Sequence, residues 1–213
     1  CMHSAEDALA YMTSIKQIMQ YGGISSCDQE KGQMRSDVNI SVRPIGQKEL
    51  GSKVEIKNMN SFAFIQEAIE YEIDRQIAVL ESGGSVEQET RGYDSDRGET
   101  FVQRSKEDAH DYRYFPEPDL LPLQLSEDEI AAWRMELPEL PEQRKMRYIE
   151  LLGLPEYDAS VLTSDKAISD WFEEVLIHTS QAKAVSNFIM GEMMRLLAEK
   201  NSEIGVCQIT PIA

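Results

Sequence analysis

From Met34 to Arg43 polar and apolar side chains alternate without a slip. On a strand, Arg35, Asp37, Asn39, Ser41 and Arg43 share one face, and Val38, Ile40 and Val42 share the other. Lys53-Val54-Glu55-Ile56-Lys57 repeats the alternation, and Pro44, Gly46 and Gly51 mark the connection, so a hairpin is predicted that brings Lys53, Glu55 and Lys57 beside the first polar face. A helix precedes it: Ser4-Ala5-Glu6-Asp7 reads as a capping box, Ala8, Tyr11, Met12, Ile15, Ile18 and Met19 keep helical spacing, and Gly22-Gly23 close it. After it, Asn58–Ser61 caps a long amphipathic helix with Ile65, Ala68, Ile69, Ile73, Ile77 and Leu80 inward, ended by Gly83-Gly84. A second hairpin follows, Val86–Arg91 and Glu99–Arg104 about a turn at Asp94–Gly98. Tyr112–Asp119, with prolines at 116 and 118, is read as extended.

Beyond Leu123 the period changes. Ser126–Glu129 opens a helix, Pro138 and Pro141 punctuate the pattern, Gly153-Leu154-Pro155 ends the next helix, and helical spacing runs through Ser164–Ile177 and Gln181–Glu199. No alternating run appears here. The expectation is an α+β class, with a sheet-bearing domain over residues 1–124 and an all-α domain over residues 125–213. No internal repeat is present.

Composition narrows the function classes. With 41% hydrophobic residues and no apolar run near the ~20 residues of a membrane span, the chain reads as soluble and globular. No signal peptide is seen, and the opening Cys1-Met2-His3 is not a plausible initiator, so a truncated piece is expected. Three scattered cysteines argue against a disulfide framework or a zinc knuckle and fit a reducing cytoplasm. The net charge of −17 is spread over both halves, with 13 basic against 22 acidic side chains in residues 1–125 and 8 against 16 beyond. Such a surface repels phosphate backbones, so nucleic acid has to meet a local basic patch or a partner protein.

Candidate chemistry gathers on the hairpin. Asp37 and Glu55 can share a hard divalent cation, Asn39 can add a carbonyl, and Arg35, Arg43, Lys53 and Lys57 can hold phosphates. A solvated sheet laced with cross-strand ion pairs accounts for the same alternation, and the pattern alone leaves both readings open. Asn58 ends the polar-faced strand beside a helix N-terminus, where backbone amides receive anions; Asn60 and Ser61 are read as caps. Arg113, Glu117 and Asp119 suit base stacking or metal binding as well as a crossing loop. The three histidines are isolated, no nucleophile signature or Gly-rich phosphate loop occurs, and Trp133, Trp171 and Phe172 are read as core.

Several longer stretches, taken in order, resemble one family. These are Gly32–Pro44 (GQMRSDVNISVRP), Glu55–Phe62 (EIKNMNSF), Gln88–Arg91 (QETR) and Asp111–Asp119 (DYRYFPEPD), then Pro138–Pro141 (PELP) and Gly153–Asp158 (GLPEYD). From about Ala5 to about Met194 the chain is similar to the B subunits of the aspartyl/glutamyl-tRNA amidotransferases. The resemblance implies the C-terminal part of a mixed sheet/helix synthetase (cradle) domain followed by a helical domain. It implies a heterotrimeric enzyme, in which a glutaminase, the A subunit, frees ammonia from glutamine and the C subunit holds the other two together. The B subunit then uses ATP and Mg²⁺ to activate the carboxylate of a misacylated Glu-tRNA(Gln) or Asp-tRNA(Asn) for amidation. A preceding segment with a His- and Glu-bearing metal site and a following tRNA-touching tail are expected outside this chain. Carried over by matching residues, Arg35, Asp37, Glu55 and Lys57 are the expected catalytic groups, with Asp37 and Glu55 as metal ligands or their supports. Asn39, Asn58, Arg91 and Arg113 are the expected cofactor-binding groups, with Glu117 a further candidate. Lys31, where the family commonly has an acid, weakens a metal role for Glu30; Ser36, where many members have Cys or Val, affects packing. The alternative is an assembly or tRNA-orienting module whose chemistry lies on the preceding segment.

Overall fold

The computed structural model describes residues 2–105, 118–202, 204–206 and 209–211. Its backbone forms two compact units, residues 1–13 with 27–125 and residues 14–26 with 126–213. The first helix, α1 (Ala5–Tyr21), therefore contributes its opening turns to one unit and its last turns to the other. A reading by contiguous segments does not assign residues 14–26 to the helical unit.

In the first unit a four-stranded sheet, in the order β1 (Val38–Ile40), β2 (Val54–Lys57), β3 (Glu89–Asp94), β4 (Glu99–Ser105), packs on α2 (Phe62–Glu81). β1 and β2 are antiparallel with Asn39 opposite Glu55. β2 and β3 are parallel across the α2 crossover, and β3 and β4 form the second hairpin. The chain is thus α+β with a mixed sheet. Ile40, Ile56 and Tyr93 meet Ile65, Ala68 and Ile69 of α2 in one apolar cluster. Full burial of an isoleucine side chain stabilises by about 1.5–3 kcal/mol, enough to fix which face of each strand looks at the helix.

Strand β1 is much shorter than the alternating run that predicts it. The backbone N–H of Val42 donates to Gln76 Oε1 on α2 at 3.1 Å instead of to β2. Beyond it Gly51 approaches so closely that a Cβ there would lie 2.1 Å from the carbonyl oxygen of Val42. Helix α2 also departs from its predicted stripe. Ile77 and Leu80 are exposed, and the inward positions of the second half are taken by the fully buried Glu72 and Gln76. Tyr11 and Ile18 of α1 are exposed as well. At the entry to α1, Ser4 Oγ accepts from the N–H of Asp7, whose carboxylate takes the N–H of His3.

The second unit is helical, and among its described residues there is no strand. Helix α3 (Glu127–Glu136) opens on the predicted capping box at Ser126 and Glu129. α4 (Pro141–Leu152) starts with proline at the first turn, where its missing N–H costs nothing, and ends at Gly153 in the left-handed region. α5 (Glu156–Leu162) and α6 (Lys166–Leu176) follow, and α7 (Ala182–Phe188) runs through a π-helical stretch, Ile189–Met193, into α8 (Met194–Lys200). Tyr148, Leu162, Phe172, Ile189 and Met193 form its core, with the Tyr148 and Phe172 rings edge-on at 5.0 Å. Trp171 packs at the margin of that core. Trp133 is 51% exposed on a helix that buries no residue, so it is not core. No described helix is long and apolar enough to cross a membrane.

Candidate functional site

A cavity of about 600 Å³ opens within the first unit, between the segment entering β1 and the junction of β2 with α2. Arg35, Asp37, Lys57 and Asn58 all line it, with Gln29, Gly32, Ser36 and Asn60. Four of the eight predicted site residues are therefore brought to one place.

Sheet alternation puts them there. Val38 and Ile56 turn to α2, so Asp37 and Lys57, one step further along each strand, turn to the opposite face. The Lys57 ammonium donates to Asp37 Oδ2 at 3.1 Å and lies 3.5 Å from Glu55 Oε1. The hydrogen bond to Asp37 is the main cause that raises its pKa above the ordinary lysine value, so it stays protonated. Glu55 is fixed from its other side, where Thr90 Oγ1 donates to Oε2 at 3.0 Å. Asn39 sits across from Glu55 on the same face and is exposed.

Asn58 ends β2 with φ of +65°, a left-handed conformation that Asn adopts more readily than most residues. That turn carries the chain from the strand into α2, whose cap is Ser61: its hydroxyl accepts from the N–H of Phe64 at 3.1 Å. Across the cavity the rim is folded by Asp28. Its carboxylate accepts from the N–H groups of Glu30 and Lys31 and pairs with the Lys31 ammonium at 2.9 Å, interactions that lower its pKa, the Lys31 side chain most. Lys31 thus serves the rim. The Ser36 hydroxyl oxygen and the Gln29 amide nitrogen are buried and, among the described residues, have no hydrogen-bond partner. Ser36 therefore brings a polar atom beside the cavity.

Arg91 stands apart from the residues of the cavity. Strand alternation turns Glu89, Arg91 and Tyr93 toward α2, the face opposite Glu55 and Thr90. The Arg91 guanidinium donates to Glu89 at 2.6 Å, to Thr100 Oγ1 at 2.7 Å and to the Thr100 carbonyl at 2.8 Å, and lies 3.5 Å from Glu72. It is buried structure and does not reach the cavity. Arg43 is held away too, by the carbonyl of Lys48. Arg113 and Glu117 lie outside the described residues.

Sequence reasoning missed Glu72 and Gln76. Glu72 accepts from Arg75 at 2.6 and 3.0 Å, from Gln76 at 2.9 Å and from Thr100 at 3.0 Å. Gln76 also donates to the carbonyl of Ile40 at 3.4 Å. The available signal was their spacing, since an acid and an amide continue the Ile65, Ala68, Ile69 stripe at helical intervals. Among the described residues no three His, Cys, Asp or Glu side chains come together as a metal cluster.

Residues 1–131 match the profile of the GatB/GatE catalytic domain. The chain belongs to that family. Curated relatives agree with the resemblance read from the motifs. The aspartyl/glutamyl-tRNA(Asn/Gln) amidotransferase B subunit of Moorella thermoacetica is 50% identical over 210 residues, which cover 99% of this chain and 44% of the relative. Those of Caldicellulosiruptor saccharolyticus (52% over 202 residues, 95% of this chain and 42% of the relative) and of Thermoanaerobacter sp. (48%, with 99% and 44% covered) are similar. This GatB/GatE chain spans less than half the length of these relatives. The cavity and every predicted site residue fall inside the matched 131 residues.

Proposed function

We propose that the cavity is one wall of the synthetase site of a tRNA-dependent amidotransferase. There the side-chain carboxylate of a misacylated Glu-tRNA(Gln) or Asp-tRNA(Asn) is activated by ATP and then amidated by ammonia. The observation that carries this reading is the convergence of Arg35, Lys57, Asp37 and Asn58 on one cavity within the family-matched segment. Phosphoryl transfer to a carboxylate brings two anions together, so positioning and charge neutralisation carry most of the catalysis. Arg35 offers a guanidinium fork for a phosphate or carboxylate. Lys57 offers a point charge held in place by Asp37 and Glu55. Asn58 and Asn60 offer amide groups at the turn into α2.

Mg²⁺ belongs to this reading as the ion that neutralises the transferring phosphoryl group. Asp37 and Glu55 are the residues that would hold it. Their fit is that of a pair already sharing one cation, the Lys57 ammonium, with further ligands coming from water or from outside the described residues. The partners in this reading are the glutaminase (the A subunit), the C subunit that holds the enzyme together, and the tRNA itself. The helical unit orients the site and contributes no chemistry.

The test is Glu55→Ala in the assembled enzyme. ATP-dependent amide formation should be lost while ammonia release from glutamine continues; normal amidation by the variant defeats the assignment. The second reading is an assembly or tRNA-orienting module whose chemistry lies on a preceding segment. It expects Arg35→Ala and Glu55→Ala to weaken assembly or tRNA binding and to leave the rate at saturation unchanged.

A further inference from the structure

On β4 the Thr100 hydroxyl reaches Glu72 of α2, so alternation turns Phe101 to the opposite, open face of the sheet, the face that carries Lys57. Lys57, Gly92 and Phe101 are direct neighbours in one row across β2, β3 and β4. Gly92 decides where the phenyl ring goes. A Cβ built on it would lie 2.7 Å from Phe101 Cζ, 3.0 Å from Phe101 Cε1 and 2.6 Å from Gln103 Nε2. Without that atom the ring leans over β3 toward Lys57, and the Gln103 amide comes in beside it. Phe101 nevertheless stays 46% exposed, and Gln103 is exposed too. The pairing of β3 with β4 shifts between Thr90 and Arg91, which leaves Gln103 as the extra residue of a bulge. Bulges re-aim a side chain and gather beside active sites.

We propose that Phe101 and Gln103 hold the base of the nucleotide, the ring stacking on adenine and the amide reading its edge, with the phosphates directed across β2 to Lys57 and the cavity. This rests on the reading of the cavity as a wall of an ATP site and adds what selects the base. Neighbouring strands lie about 4.8 Å apart, so the row sets the ring about 5–10 Å from Lys57. An extended nucleoside triphosphate spans that distance between its base and its phosphates. Lys57 lines the cavity with Arg35, so one end of the row is cationic and the other aromatic. Stacking on an aromatic ring suits any base. An amide that both donates and accepts matches the N6 and N7 edge of adenine in particular.

The test is equilibrium dialysis of the assembled enzyme with ATP, GTP and inorganic tripolyphosphate, on variants checked for native circular dichroism. Phe101→Leu should weaken ATP about tenfold and leave tripolyphosphate, which has no base, unchanged. Phe101→Trp should keep ATP affinity, and Gln103→Leu should narrow the preference for ATP over GTP. Equal weakening of ATP and tripolyphosphate by Phe101→Leu overturns the platform, because a base contact cannot act on a ligand without a base. Unchanged ATP affinity in Phe101→Leu overturns it as well, including the case in which only the KM for the aminoacyl-tRNA rises. The cavity reading then still stands if Arg35→Ala weakens ATP, and falls with the platform if Arg35→Ala does not.

Discussion

Gln76 on α2 accepts a hydrogen bond from the backbone N–H of Val42 at 3.1 Å, at the point where β1 has ended. The same side chain donates to the carbonyl of Ile40 and to Glu72, so one buried amide holds the edge of the three-residue strand that carries Asn39. Gln76→Leu leaves that N–H and Glu72 each short of a partner, at a cost of about 1–3 kcal/mol. A lower denaturation midpoint and faster hydrogen exchange of the Val42 amide should both be seen. An unchanged exchange rate at Val42 argues against the clamp.

Glu72 makes the first unit sensitive to acid. Burial pushes its pKa up, but the hydrogen bonds from Arg75, Gln76 and Thr100 and the charge of Arg75 together outweigh burial, and the pKa lies below the ordinary 4.5. A depressed carboxylate contributes stability above its unfolded pKa and loses it as the pH falls through the folded one. Glu72→Gln should therefore cost on the order of 2 kcal/mol at neutral pH. The gap between variant and unaltered chain should close below pH 4.5. Denaturant midpoints measured from neutral pH downward check the sign, since a gap that widens in acid is the opposite result.

The left-handed turn at Asn58 separates backbone from side-chain roles. Asn58→Gly keeps the turn and should leave stability within a few tenths of a kcal/mol, while Asn58→Val should cost about 1–2 kcal/mol because a β-branched residue resists positive φ. If the side chain contacts ligand, the glycine variant should still lose nucleotide affinity in equilibrium dialysis. Full retention of affinity by the glycine variant reduces Asn58 to a turn residue.

In the helical unit Phe172 is fully buried and meets Tyr148 edge-on. Phe172→Ala should lower stability by about 3–5 kcal/mol, the largest loss among the substitutions named here. Tyr148→Phe should cost less, about 1 kcal/mol, since it removes only the hydroxyl bond to Ser169, at 2.9 Å. Thermal denaturation of the two variants ranks them, and the reverse order speaks against ring packing as the main source of stability there.

Local patterns carried the secondary structure well wherever local chemistry decides it. The Ser126 capping box, the Gly153 terminus and the Asp94–Gly98 turn were each legible from a few neighbouring side chains. The pairing of Asp37 with Lys57 was legible as well, because period-two alternation and one hairpin place them side by side. Arg91 was legible as a charge but its destination was not. Which face a strand residue takes depends on where α2 packs, and that contact is between segments distant in sequence. The same holds for Glu72 and Gln76, whose burial depends on Arg91, Thr100 and the end of β1. Trp133 was misread because large aromatic size favours burial only where a neighbour exists to cover it, and α3 buries nothing.

Helix α1 has a practical consequence for how this chain can be divided. Tyr21, at its C-terminal end, is 2% exposed, donates its hydroxyl to the Thr163 carbonyl at 3.1 Å and receives the Arg144 guanidinium over its ring at 5.1 Å. A helical piece expressed from residue 126 onward would lose that tyrosine, leaving a ring-sized hole and a carbonyl without its donor. Grafting Ser14–Ser26 back, or supplying it as a separate peptide, is what would make such a piece self-sufficient.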